Sequence, residues 1–248
     1  MNYEGEQFSE PLFEALSEYP TTFAHPVYLG ESPHDSETAA LASGTGVFIR
    51  FGEKLVGVTC QHVLASFRKR REANPRTIFA FGRLVVDAEN LVLDESRELD
   101  LVTFDFTKLS GRLADRGRTV EPTKWPPEEI TLDDAVAFAG FPGEWREQPA
   151  RGEMTFHSFA SGASPIRSVH PTYFYTRLEI DSAIRAGIGR HDLGPLGGLS
   201  GGPVFVWRPG PVLRAELVGF VTEYAKEYDL FHVRRSTCIA SDGTLIRP

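Results

Sequence analysis

Cysteine is scarce in this sequence of 248 residues, which contains only Cys60 and Cys238. Two cysteines are too few for a disulfide framework of the kind that stabilises small secreted domains, and one pair is compatible with either redox compartment. The first 20 residues are acidic and lack the basic flank and apolar run of a secretory signal. We therefore expect two reduced, mostly buried thiols in a cytoplasmic protein.

Positive charge and long apolar runs are also limited. Lys and Arg number 26 against 34 Asp and Glu, which gives a net charge of −8. A net-negative chain is a poor binder of polyanions, so we expect no nucleic-acid partner and no membrane partner. The longest stretch without Asp, Glu, Lys or Arg, residues 193–207, holds 15 residues with five Gly and two Pro. It therefore cannot be a membrane-spanning helix.

What the sequence does contain is a series of short apolar runs rich in Val, Ile, Phe and Thr. Apolar residues within 5–19 follow helical spacing and predict a short amphipathic helix that Pro20 ends. Residues 45–51 and 54–59 flank Gly52-Glu53 and predict a hairpin. Further strand-like runs follow on both sides of a Pro-containing connector, residues 110–134. Two six-stranded barrels fit this pattern, but periodicity alone allows one large sandwich equally well.

A serine between glycines is the most informative local motif, Gly198-Leu-Ser200-Gly-Gly-Pro203. Glycines allow strained backbone angles and leave the serine Oγ uncrowded, and such a turn can aim the amides of Gly198 and Ser200 at one point. The alternative is an ordinary Gly-rich turn. The motif also matches the Gly-x-Ser-x-Gly elbow of α/β-hydrolases, but the strand-like residues 203–207 follow where that elbow needs a helix.

Two further residues are candidates for catalysis. His62 ends the apolar run Val58-Thr-Cys-Gln-His62 and has a side chain suited to general base chemistry, although a structural core histidine has the same signature. Asp100 precedes the buried run 101–104 and is either an orienting carboxylate or a turn residue. The sequence offers three competitors for the acidic role: Asp87, Asp94 and Asp105.

Together these motifs resemble those of trypsin-like (chymotrypsin-fold) serine peptidases, and more closely the bacterial, HtrA-like and standalone branch. The similar segments, in the family's order, are Ser43-Gly-Thr-Gly-Val-Phe48, Val58–Val63, Glu98–Val102, Val136–Pro142 and Gly198–Pro203. The resemblance implies an all-β fold of two six-stranded antiparallel barrels with a short N-terminal helix. We expect residues 1–37 to be a helical extension, 38–118 the barrel with His and Asp, and 119–248 the linker and the barrel with Ser.

The resemblance also implies roles for single residues. Ser200 would be the nucleophile, His62 the general base and then acid, and Asp100 the carboxylate that orients His62. The backbone N–H groups of Gly198 and Ser200 would form the oxyanion hole. Such a mechanism needs no metal and no organic cofactor, and its partner is a protein or peptide substrate, with a regulatory protein as a further candidate. We expect a serine endopeptidase with restricted substrates; a latent scaffold and an esterase on the same site are the alternatives.

Several positions depart from the family's pattern. The residues matched to the substrate-binding strand are Thr222, Glu223 and Tyr224, and Tyr224 would narrow the specificity pocket. Gly194, six residues before the nucleophile, is uncharged and does not support a pocket for Arg or Lys. Leu199 stands where secreted members carry the aspartate that pairs with a new N-terminal amine. Only 15 residues follow Val233, so we expect no PDZ domain there.

Overall fold

A computed structural model describes residues 10–31, 42–113, 118–147, 154–178, 183–186 and 196–248 of this chain. The described part consists mainly of β-strands, with four α-helices. The helices are α1 (Glu10–Glu18), α2 (Gln61–Ala73), α3 (Ala88–Leu91) and α4 (Ser110–Leu113). The strands are β1 (Ala24–Glu31), β2 (Ala42–Phe51), β3 (Lys54–Thr59), β4 (Thr77–Phe81), β5 (Leu84–Val86), β6 (Val92–Ser96), β7 (Leu101–Asp105), β8 (Ala135–Gly140), β9 (Arg146–Glu147), β10 (Thr155–Phe156), β11 (Ser158–Val169), β12 (Tyr173–Arg177), β13 (Ala183–Ala186), β14 (Pro203–Arg208), β15 (Arg214–Ala225) and β16 (Leu230–Arg235).

The strands form two large antiparallel sheets, one in each half of the chain. The first sheet has the order β5-β4-β1-β2-β3-β7-β6 and curls into a half-barrel. The second has the order β12-β16-β15-β14-β8-β11-β13, and a further pairing of β12 with β11 closes six of these strands into a barrel. The trypsin-like, all-β architecture expected from the sequence is confirmed. The difference is that the described strands close only the second barrel, and the first sheet has seven strands.

Aromatic side chains fill the interior of both halves. The first half encloses a phenylalanine cluster in which adjacent rings lie 4.6–6.3 Å apart between centroids. A separate cluster fills the barrel, and a third lies between the halves and joins side chains of β2, β3 and β7 to those of β14 and β15. Burial of this much apolar surface is the main force that holds the two halves together. The third cluster fixes the cleft between the halves.

The N-terminal segment differs from the expectation of a purely helical extension. Helix α1 is present, but strand β1 follows it and pairs with β2 on one side and β4 on the other. The sequence pattern does not reveal β1 because Pro26 lies inside it, and proline normally indicates that a run is not a central strand. Residues 24–31 are therefore an internal strand of the first sheet. None of the described helices combines the length and apolar character that crossing a membrane requires.

Candidate active site

His62 and Asp100 are brought together at one end of the first sheet. Strand β3 ends at Thr59, and α2 begins at Gln61, so His62 lies in the first turn of that helix. Asp100 lies directly before β7. The Asp100 carboxylate accepts from the His62 backbone N–H through Oδ1 (3.0 Å) and contacts His62 Nδ1 through Oδ2 (2.8 Å). Because a carboxylate accepts only, Nδ1 carries the proton and Nε2 of the neutral ring is left as the basic nitrogen.

The three competing aspartates are engaged elsewhere. Asp87 accepts from the Asn90 side chain, Asp94 is paired with Arg247, and Asp105 accepts from the backbone N–H of Thr107. The bond from Arg247 lowers the pKa of Asp94, and the bonds from Thr107 lower that of Asp105. Of the four candidate acids, Asp100 is the one that contacts His62.

Ser200 lies in the turn before β14, in the second half of the chain, and two glycines shape this turn. Gly198 has φ +105° and Gly201 has φ +91°, a region that residues with a Cβ rarely adopt. A Cβ on Gly201 would lie 2.0 Å from the carbonyl oxygen of Thr45. The backbone of the turn is tied to β2 by a hydrogen bond from Thr45 N to Ser200 O (2.8 Å). The glycines are therefore required by backbone angle and by contact.

The backbone N–H groups of Gly198 and Ser200, which were expected to form the oxyanion hole, belong to this turn. Two carbonyl groups of the turn accept hydrogen bonds from other segments. Thr45 Oγ1 donates to Gly198 O (2.7 Å), and Gly143 N donates to Gly197 O (2.7 Å). The backbone N–H groups of Gly198 and Ser200 donate to no acceptor within the residues that the structure describes. Thr45, which the sequence motif contains but does not single out, is thus a support of the turn.

The Ser200 side chain forms a hydrogen bond with β15. Its Oγ donates to the backbone carbonyl of Thr222 on β15, at 3.2 Å. Over the described part of the chain, no hydrogen bond joins Ser200 Oγ to His62. The two residues nevertheless line one cavity of about 620 Å³ between the halves. Its wall includes His62, Asp100, Leu196, Gly197, Leu199, Ser200, Val221, Thr222, Glu223, Tyr224, Lys226, His232 and Arg234.

The three residues expected to bind substrate on β15 all line this cavity. Tyr224 stacks on Phe231 of β16, with ring centroids 4.5 Å apart and planes inclined by 21°. Its hydroxyl donates to Asp229, and burial together with this bond raises the pKa of Tyr224 to about 12. Because Phe231 is fully buried, the stack fixes Tyr224 in the wall. Gly194, the fourth residue expected to bind substrate, lies outside the described residues.

His232 and Arg234 on β16 are among the cavity residues that were not expected from the sequence. The His232 ring contacts the Thr222 hydroxyl through Nδ1 and packs between Tyr173 and Tyr175. Burial, with a contribution from Arg234, lowers the pKa of His232 to about 4, so its ring is neutral at pH 7. No local motif marks either residue, because their places depend on the register of β16 against β15.

One group of side chains has the spacing of a metal site. Cys60, His62 and Asp100 each offer a ligand atom, and these atoms lie within 4.8 Å of one another. However, the Cys60 thiol donates to the carbonyl of Val221 (3.3 Å), and burial, followed by the charge of Asp100, raises its pKa well above the ordinary value. A thiol held in this form is a poor ligand, because metals bind the thiolate. The hydrogen bond between His62 and Asp100 therefore explains this cluster better than a metal site does.

A cleft between two β halves, with a histidine–aspartate pair on one side and a glycine-flanked serine on the other, defines the trypsin-like peptidase class. In agreement, the family model described as trypsin-like peptidase domain matches residues 44–212, and this chain belongs to that family. A comparison with curated proteins finds no match.

Among solved structures, the chain is similar to Rv3671c of Mycobacterium tuberculosis H37Rv. An inactive form of a serine-to-alanine mutant of that protein is 12% identical, with a TM-score of 0.40 and coverage of 93% of this chain and 91% of the other. A second inactive form of the Rv3671c protease is also 12% identical, with a TM-score of 0.37 and coverage of 93% and 92%.

Proposed function

We propose that this chain is a serine endopeptidase in which Ser200, His62 and Asp100 form the catalytic triad. Membership of the peptidase family supports the reaction class. The observation that carries the assignment of residues is the double contact between the Asp100 carboxylate and His62, in the cavity that Ser200 also lines. This contact leaves His62 Nε2 available to accept a proton from the serine hydroxyl.

The first chemical step requires the Ser200 hydroxyl to leave the Thr222 carbonyl and turn towards His62. His62 Nε2 then takes the hydroxyl proton while Oγ bonds to the carbonyl carbon of the scissile peptide. The carbonyl oxygen becomes an oxyanion, and the free N–H groups of Gly198 and Ser200 stabilise it. Loss of one such donor typically costs about 10²–10³-fold in turnover. The bonds from Thr45 and Gly143 hold the glycine turn that carries these donors.

The second step breaks the peptide bond. His62 returns its proton to the nitrogen of the leaving amine, and the C–N bond breaks to give an acyl-enzyme on Ser200. A water molecule then repeats the sequence: His62 takes its proton, its oxygen attacks the ester, and the proton returns to Ser200 Oγ. Throughout both steps, Asp100 stays ionised and holds the ring through Nδ1. These residues, the substrate and water account for every atom and proton in both steps.

One observation favours a second candidate, a latent peptidase that a partner switches on. The hydrogen bond from Ser200 Oγ to Thr222 O occupies the hydroxyl that His62 must deprotonate. Substrate or a regulatory protein that competes for the Thr222 carbonyl would release this hydroxyl. The two candidates share one site and differ in whether the isolated chain turns over substrate.

We also propose that the protein lies in the cytoplasm. Both described cysteines are free and buried, which suits a reducing compartment.

The experiment that tests the function compares wild type with Ser200→Ala on a whole proteome. Peptides released after incubation are identified by mass spectrometry, and small esters are assayed in parallel. We expect new peptide termini with wild type only. Ester turnover without new termini would contradict an endopeptidase and indicate an esterase. If neither peptide release nor ester turnover occurs with the protein alone, and both appear once a cell extract is added, the result would support the latent peptidase instead.

A further inference from the structure

Arg234 reaches from the barrel to the turn that carries Asp100. It lies on β16, and only 7% of the residue is exposed. One guanidinium nitrogen, Nη2, donates to the backbone carbonyl of Glu98 (3.2 Å), two residues before Asp100. The other, Nη1, donates to the Thr172 hydroxyl (3.0 Å) in the turn between β11 and β12. A single buried side chain thus ties the backbone beside Asp100 to the second half of the chain.

The turn that carries Asp100 requires such support. Asp100 has φ +51°, in the left-handed region, which is strained for a residue with a Cβ and persists only when its surroundings fix it. Within the first half, the turn is held by bonds from Asp100 N to Arg97 O (3.3 Å), from Leu99 N to Ser96 Oγ (3.2 Å) and from Gln61 N to Asp100 O (3.2 Å). The bond from Arg234 adds an anchor from the opposite side of the cleft.

The charge of Arg234 is unusual for a residue that serves only stability. No carboxylate within the described residues lies at ion-pair distance from its guanidinium, which lies over the Tyr173 ring (5.8 Å to the centroid), and its Nε has no hydrogen-bond partner there. A buried cation without an ion pair costs stability, which its hydrogen bonds and ring contact offset only in part. Burial has the largest effect on the pKa of the Cys60 thiol and raises it. The charge of Asp100 raises this pKa further, and the charge of Arg234 lowers it. Both charges therefore act on Cys60, which lies between β3 and α2, two residues before His62.

We propose that Arg234 is a positioning residue of the active site, which holds the Glu98–Asp100 turn so that the carboxylate keeps both of its contacts with His62. The inference rests on the proposed function, because it assigns Arg234 to the orientation of the general base. Arg234 itself does not touch the reacting atoms. Its loss should allow the turn to relax and the His62 ring to lose its fixed orientation.

The next residue, Arg235, provides a matched control. It is equally buried, with 7% exposed. Its Nη1 donates to the carbonyl of His170 (3.3 Å), in the same turn that Arg234 contacts, and its Nη2 is paired with Glu129. No bond from Arg235 reaches the Asp100 turn. A comparison of the two arginines therefore separates the contact with Glu98 from the general effect of removing a buried arginine.

The test measures phosphonylation of Ser200 by a fluorophosphonate as a function of probe concentration. We expect Arg234→Gln to lower the limiting rate by about 10²-fold, the size of effect that a misplaced catalytic group produces, with little change in the half-saturating concentration. Arg234→Lys should recover part of the rate, because an ammonium can still donate to Glu98 O. Arg235→Gln should stay within a few-fold of wild type. In an Asp100→Asn background, Arg234→Gln should have almost no further effect.

Equal losses for Arg234→Gln and Arg235→Gln, or a loss that persists unchanged in the Asp100→Asn background, would overturn the inference. A second measurement does not depend on activity. The proton NMR signal of the His62 Nδ1–H should be lost to exchange in Arg234→Gln and kept in Arg235→Gln. If wild type is not phosphonylated, the proposed function fails while this signal still decides the role of Arg234. Thermal unfolding of each variant shows that it is folded.

Discussion

The hydroxyl of Ser200 donates to the backbone carbonyl of Thr222, 3.2 Å away. This contact links the proposed nucleophile to the edge of β15, where backbone bonds from β14 and the turn before it end at Val221. Beyond Val221 the residues of β15 line the cavity, where an extended peptide can add to the sheet edge. A substrate strand whose N–H takes the Thr222 carbonyl would therefore release the Ser200 hydroxyl. In the proposed function, substrate binding and exposure of the nucleophile would be coupled through this acceptor.

Asp100→Asn should reduce turnover by about 10⁴-fold while leaving the fold intact, because an amide cannot hold the Nδ1–H tautomer of His62. The measurement is the phosphonylation rate of Ser200 at pH 7. Asp87→Asn and Asp105→Asn are the matched controls, since both side chains are engaged away from His62. An equal loss with either control would show that the orienting acid is assigned wrongly.

Tyr224 should restrict the residue before the cut to a small side chain. In the proposed mechanism the leaving amine lies on the His62 side, and we expect the acyl side chain to face the part of the cavity wall that Tyr224 forms. Tyr224→Ala should increase kcat/KM for an ester of phenylalanine by about tenfold or more relative to the alanine ester, consistent with one pocket contact. A panel of N-acyl amino-acid esters measures this ratio. A wild-type preference for the phenylalanine ester would contradict it.

Acidic pH should destabilise the fold through His232. Its pKa is lowered to about 4 by burial, against 6.5 in the unfolded chain, so the unfolded state binds the additional proton as the pH falls. The contribution of neutral His232 to the stability of the fold is fully present above pH 6.5 and is lost as the pH falls from 6.5 to 4. Urea unfolding at pH 7 and pH 4.5 should show a smaller loss of stability for His232→Gln than for wild type. Equal losses would mean that His232 titrates normally.

Blocking the N-terminal amine should leave activity unchanged. Leu199 is buried in the barrel cluster, 1% exposed, and offers no charge to an inserted ammonium, whose burial without a partner would cost several kcal/mol. Phosphonylation rates of the full chain with a free and an acetylated N-terminus should agree within error. Trimming at residue 38 is not a usable test, because it would remove β1 from the first sheet. A rate that falls upon acetylation would show that an inserted amine matters.

The sequence predicts best where a short apolar run lies between turns. Strand β3 matches the predicted run 54–59 residue for residue, because the turn at Gly52-Glu53 sets its first residue. Strand β1 was missed because Pro26 lies inside it. Helix α2 packs against the first sheet through the buried Phe67, a tertiary contact that the local sequence does not display.

For the site, local motifs identified His62, Asp100 and Ser200 as candidates, and the structure brings Asp100 to His62. The places of Arg234 and His232 depend on cross-strand register, in which His232 lies opposite Glu223 after an irregularity in β15. A single sequence does not display this register, since side chains that meet across strands are far apart in the chain. The bond from Ser200 to Thr222 likewise depends on the pairing of β14 with β15.

The most direct test of the account is the site of covalent labelling. Purified protein is treated with a fluorophosphonate, and the modified residue is located by peptide mass spectrometry. We expect one phosphonyl group per chain, on Ser200, because His62 removes the Oγ proton as fluoride leaves. Ser200→Ala should not be labelled, and the loss of a triad member should lower peptide cleavage by about 10⁴–10⁶-fold. Labelling at another residue, or cleavage retained in a clean Ser200→Ala preparation, would contradict the account.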